Sequence, residues 1–130
     1  MRESLAPVLN DTKWDELRLA MYELGEQSPD FRVKDIRDDR PGPWDGEWFY
    51  HFRSGGYSSM EWVELRLADP QQREVVARIL ESINLPGSHT NEGFVIYGHV
   101  VPGSSVEYIR SSSNNKLQRT RGAASERADG

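Results

Sequence analysis

The spacing of apolar residues along this chain switches from three-to-four, to two, back again, and once more to two. That sequence of periods constrains the fold more than any other feature. Trp14, Leu17, Met21 and Leu24 make one helical stripe, which predicts a helix over residues 11–25. Thr12 with Asp15 resembles a capping box, Asn10 and Asp11 compete for the cap, and Gly25 supplies the stop. Three period-two segments follow. In Phe31 to Arg37 the alternation breaks at Ile36, as a bulge or an edge position would require. Glu47 to Arg53 sets Trp48, Tyr50 and Phe52 against Phe49, His51 and Arg53. Met60 to Leu67 sets Val63, Leu65 and Leu67 against Trp62, Glu64 and Arg66. Asp38 to Pro43 reads as a loop and Ser54 to Ser59, with Gly55 and Gly56, as a hairpin turn.

A second helix is predicted from Asp69-Pro70, where Asp caps and Pro fills the first turn, through the stripe Val76, Ile79, Leu80 and Ile83 to Asn84. Leu85-Pro86-Gly87 then turns the chain. A last strand, Gly93 to Val101, places Phe94, Ile96 and Val100 opposite Val95, Tyr97 and His99. The expected fold is α+β: a two-layer sandwich in the order αβββαβ, with a four-stranded, mostly antiparallel sheet and both helices on one face. A right-handed crossover through the second helix would set the last strand parallel to the third, in the spatial order 4-1-2-3. Residues 1–10 read as an N-terminal extension, 11–103 as one domain, and 104–130, rich in Ser, Asn and Arg, as a disordered tail.

Composition narrows the function classes. Without cysteine the chain has no disulfide, thiolate metal site or thiol nucleophile, and it suits a reducing cytoplasm. No apolar run approaches the roughly 20 residues needed to span a bilayer, so no membrane partner is expected. Residues 111–130 carry Lys116, Arg119, Arg121 and Arg127 against Glu126 and Asp129, a net of +2. The rest of the chain therefore carries −7 of the overall −5. So acidic a body repels phosphate backbones, which argues against nucleic acid, and attracts a partner with a basic surface.

If the helices cover Trp48, Tyr50, Phe52, Val63, Leu65 and Leu67, the opposite sheet face collects Phe49, His51, Arg53, Trp62, Glu64, Arg66, Tyr97 and His99. Aromatics and Arg together resemble the anchors of protein-binding patches. Trp44 and Asp45, in a turn flanking the second strand, would form its rim. The plain alternative is that these rings only shield the sheet. Two other readings use the same face: a small metal-dependent enzyme built on His51, Glu64 and His99, or a homodimer packed face to face. No local spacing vouches for a metal, and no phosphate-cradling loop or nucleophile elbow is present, so no cofactor is expected.

The runs Trp44-Asp45-Gly46-Glu47-Trp48-Phe49-Tyr50-His51-Phe52-Arg53, Glu61-Trp62-Val63-Glu64, Ile83-Asn84-Leu85-Pro86-Gly87 and Gly93-Phe94-Val95-Ile96-Tyr97-Gly98 resemble a small bacterial family of unknown function. The likeness covers roughly residues 12–101 and implies no catalytic residue. Size, acidity and architecture are also similar to those of the immunity proteins that neutralise bacterial toxins. That similarity implies a protein-binding role rather than an enzymatic one.

Overall fold

Both helices form where the sequence supplies their caps. The computed structural model describes residues 5–111. It opens with a two-residue strand, β1 (Ala6–Pro7), before α1 (Asp11–Glu23). Of the competing caps, Asn10 takes the role: its side-chain oxygen accepts from the Lys13 N–H at 2.9 Å. A single 3-10 turn, Gly25–Gln27, follows, entered through Gly25 at φ +61°, a conformation that costs glycine little. The second helix, α2 (Pro70–Ile83), starts at Asp69, whose carboxylate accepts from the Gln72 N–H at 2.8 Å. It stops at Asn84, left-handed at φ 68°, whose N–H reaches the carbonyls of Leu80 and Glu81.

The strands are β2 (Asp30–Asp35), β3 (Met60–Arg66), β4 (Gly87–His89), β5 (Gly93–Tyr97) and β6 (His99–Val100). The main sheet runs β2-β3-β5-β4 with every neighbouring pair antiparallel, and β1 pairs with β6 in a separate ribbon. Register aligns two core rows: Phe31, Leu65 and Phe94 in one, and Val33, Val63 and Ile96 in the other. These rows pack into a single core with Trp14, Leu17 and Met21 of α1 and Val76, Ala77 and Leu80 of α2. Burying a side chain of this size is worth about 1.5–3 kcal/mol, against about 1 kcal/mol net for a ladder hydrogen bond. The rows therefore fix the register, since a slip of one residue would turn them out to solvent.

The α+β sandwich is the one expected, and β2 is indeed an edge strand with a register shift between Lys34 and Asp35. Two details differ. Glu47 to Arg53 is a run of turns, not a strand. Trp48 and Phe52 are both buried, but they stand four residues apart as on a helical turn, and Tyr50 between them is 63% exposed. Local acceptors explain the choice: Asp45 takes the Glu47 N–H at 2.8 Å, and Glu47 takes those of Tyr50 and His51 at 3.0 and 2.9 Å. Those N–H groups are thereby taken from any ladder. The last long strand is also antiparallel to its neighbour rather than parallel, so the order 4-1-2-3 does not hold. After α2 the chain enters the sheet at its far edge as β4, concealed in the sequence by Pro86-Gly87, and a hairpin then returns it as β5.

Irregular segments close both sheet edges, which would otherwise be open to pairing. Phe31 and Asp45 exchange backbone bonds of 2.8 Å, and the Gly42 N–H reaches the Val33 carbonyl at 2.9 Å. At the other edge Gly87 donates to the Glu107 carbonyl at 2.9 Å and Ile109 to that of Leu85 at 3.1 Å. Ile109 is only 2% exposed and belongs to the core. Of the segment that composition groups as a tail, then, residues 107–109 strap the body; residues 112–130 lie outside the described residues, as do 1–4.

Candidate functional site

The ten residues singled out from the sequence divide among four places. Trp62, Glu64 and Arg66 of β3 and Tyr97 of β5 do share the open sheet face, with Trp62 directly opposite Tyr97. Charges on this face are largely satisfied from within. Arg32 of β2 pairs with Glu64 at 2.8 Å, Arg66 with Asp30 at 2.9 Å, and the Tyr97 hydroxyl lies 2.9 Å from that of Ser88. Trp44 is more than a rim: the Arg32 and Arg66 guanidinium groups lie 4.7 and 4.1 Å from its ring centre. That contact folds the 42–45 segment onto the face.

Phe49, His51 and Arg53 are not on the sheet at all, because the segment that carries them is a run of turns. Phe49 instead packs against α1, its ring centre 5.0 Å from that of Tyr22 and 4.9 Å from that of Tyr50. Arg18 and Arg53 place their guanidinium groups 4.9 and 5.7 Å from the Phe49 ring. Arg18 is 5% exposed and also donates to the Phe49 carbonyl at 2.6 Å and to Asp15 at 3.2 Å. The Tyr57 hydroxyl donates to the same Asp15 carboxylate at 2.5 Å. The outcome is a small exposed aromatic surface, Tyr22 at 52% and Tyr50 at 63%, with Leu19 at 39% one helical turn from Tyr22.

His51 stands apart with Asp45, Nδ1 to Oδ2 at 2.9 Å, and 4.0 Å from Glu47. Burial pushes the Asp45 carboxyl up, but the Glu47 N–H, the His51 ring and the Gly46 N–H outweigh it and hold the group below its ordinary range. The His51 and Tyr50 N–H groups hold Glu47 low in the same way, His51 foremost. His99 sits on β6 with Nδ1 2.8 Å from the Met60 carbonyl. The set His51, Glu64 and His99 is thus divided among three environments. Among the described residues no three His, Asp or Glu side chains come together as metal ligands.

Sequence reasoning missed Arg18, Tyr22 and the exposure of Tyr50. Arg18 left a signal: it lies four residues after Trp14 and three before Met21, on the buried side of α1, where a cation needs partners. No helix among the described residues is long and apolar enough to cross a membrane. Compared with known proteins, residues 1–103 match the model of a family described as of unknown function, DUF6678. No curated protein and no solved structure matches the chain.

Proposed function

The chain belongs to this family of unknown function, and we propose that it is a protein-binding module of the bacterial cytoplasm that docks through the Tyr22–Phe49–Tyr50 surface. The observation that carries this reading is the exposure of Tyr22 and Tyr50 around a Phe49 held by two guanidinium groups. Large rings left in water by more than half and fixed in place lose little conformational freedom on binding, which is why Tyr, Trp and Arg dominate binding hot spots. The acidic body sets the partner's character. A charge of −7 on residues 1–110 speeds encounter with a basic surface. In its sharpest form the partner is a basic toxin, such as a nuclease, which the module neutralises by occupying it.

A capture experiment from bacterial lysate tests the reading with three baits: wild type, Tyr50→Ala and Trp62→Ala. A partner held by wild type and Trp62→Ala but released by Tyr50→Ala, at unchanged melting temperature, supports the α1–loop surface. Release by Trp62→Ala alone transfers the role to the open sheet face, and the proposed surface is then wrong.

A further inference from the structure

Guanidinium groups lie over aromatic rings throughout this protein. Trp44 carries Arg32 and Arg66, Phe49 carries Arg18 and Arg53, and Phe94 carries Arg73 at 5.0 Å. Each ring supplies an electron-rich face, and the planar cation loses little hydration on stacking there. The two most exposed rings of the aromatic surface, Tyr22 and Tyr50, carry no such cation among the described residues.

Beside Tyr22 is a cleft that holds one carboxylate. Tyr22 and Glu47 line a shallow space of about 220 Å³ together with Gly25, Ser28, Gly46 and Trp48. Its walls leave the approach open: a Cβ built on Gly25 would meet nothing within 4 Å. Glu47 is fixed by the N–H groups of Tyr50 and His51, both on one carboxylate oxygen. Glu23, at the end of α1, and Glu26, in the following turn, have no ion-pair partner among the described residues. An aromatic face and a carboxylate lining one cleft match the two ways an arginine is recognised, by stacking and by charge-assisted hydrogen bonding.

Resting on the protein-binding reading, we propose that the cleft takes an arginine side chain of the partner, its guanidinium stacked on Tyr22 and paired with Glu47, with Tyr50 offering a second ring to a neighbouring cation. Lysine fits this site less well, since its ammonium is a compact, strongly hydrated charge that gains little from a ring. Two of the five guanidinium groups stacked on rings in this protein, those of Arg18 and Arg53, lie over Phe49, whose ring adjoins both Tyr22 and Tyr50.

The test uses the full chain and three glycine-spaced peptides that differ only in six positions: arginine, lysine or citrulline. Calorimetry near physiological salt is expected to give binding in the order arginine, lysine, citrulline, with arginine ahead of lysine by about fivefold. Tyr22→Ala should weaken the arginine peptide about tenfold, whereas Tyr22→Phe, which keeps the ring, and Tyr108→Ala, a distant exposed ring, should not. Glu47→Gln keeps the carbonyl oxygen that caps the turn but removes the charge, and should weaken binding as well. Equal affinity for arginine and lysine, no binding of either, or indifference to Tyr22→Ala each overturns the proposal. If the arginine peptide fails while the natural partner is still lost with Tyr50→Ala, the protein-binding reading stands without this one.

Discussion

Arg18 donates to the Phe49 carbonyl at 2.6 Å while its guanidinium lies 4.9 Å from the centre of the Phe49 ring. One cation on α1 therefore holds both the backbone and the side chain of a residue 31 positions away. Its other bond, to Asp15, reaches a carboxylate that is half exposed, so solvent screens it and it contributes little. Most of what Arg18 does is thus exerted through the loop. Arg18→Met, which keeps most of the volume, should cost about 2–3 kcal/mol in urea unfolding and abolish partner binding. A loss below about 0.5 kcal/mol would mean the loop is held by Trp48 and Phe52 alone.

Stability should be a dome in pH, with limbs assignable to particular residues. Asp35 is held well below the usual carboxylate range, first by the Arg37 guanidinium and then, against burial, by the Arg37 N–H and Ser59. Asp15 is held low chiefly by the Tyr57 hydroxyl; Asp45 and Glu47 are lowered as described. A lowered carboxyl stabilises the fold above its unfolded value, near 4, and that contribution is lost as pH falls through the folded value. Melting temperature should therefore drop below about pH 4, and Asp35→Asn should flatten that limb. An acid limb identical to wild type in Asp35→Asn would show the carboxylate to be unimportant.

The alkaline limb belongs to Tyr57, pushed up to about 12 by burial and by its bond to Asp15. A raised value makes the contribution complete below the unfolded value near 10, and it fades as pH climbs through about 12. Tyr57→Phe should cost about 1 kcal/mol at neutral pH and remove this slope. Retention of the slope would assign it to another group.

The 107–109 strap predicts a pair of stability effects. Ile109→Ala should cost about 2–4 kcal/mol, the range for emptying a buried aliphatic site. Gly87→Ala should cost more, because the added carbon would stand 2.1 Å from the Val95 carbonyl oxygen and 2.8 Å from Ile109 Cδ1. Both are read by denaturant unfolding; a chain ending at residue 103 that melts like wild type would contradict the strap's role.

Much of this architecture is legible in the sequence where one physical signal dominates. Asp69-Pro70 and Asn84 mark α2 to the residue, and the alternation of Val63 and Leu65 gives β3 its inward face. Legibility fails where two patterns coincide. Trp48 and Phe52 satisfy both a period of two and a spacing of four, and only the carboxylates of Asp45 and Glu47 decide between them. Strand β4 is three residues long and begins at a glycine, so no alternation can announce it. The candidate site inherited the first of these errors. Once the Glu47 to Arg53 segment coils, Phe49 leaves the sheet for α1 and meets Tyr22, a residue with no reason in the sequence to be near it.

The central claim is that the Tyr22–Phe49–Tyr50 surface carries binding, and the most direct measurement is the dissociation constant of the captured partner for wild type and for Tyr50→Ala. Truncating a hot-spot ring costs about 2 kcal/mol or more, so the account predicts a constant weaker by roughly thirtyfold at an unchanged melting temperature. An unchanged constant would contradict it.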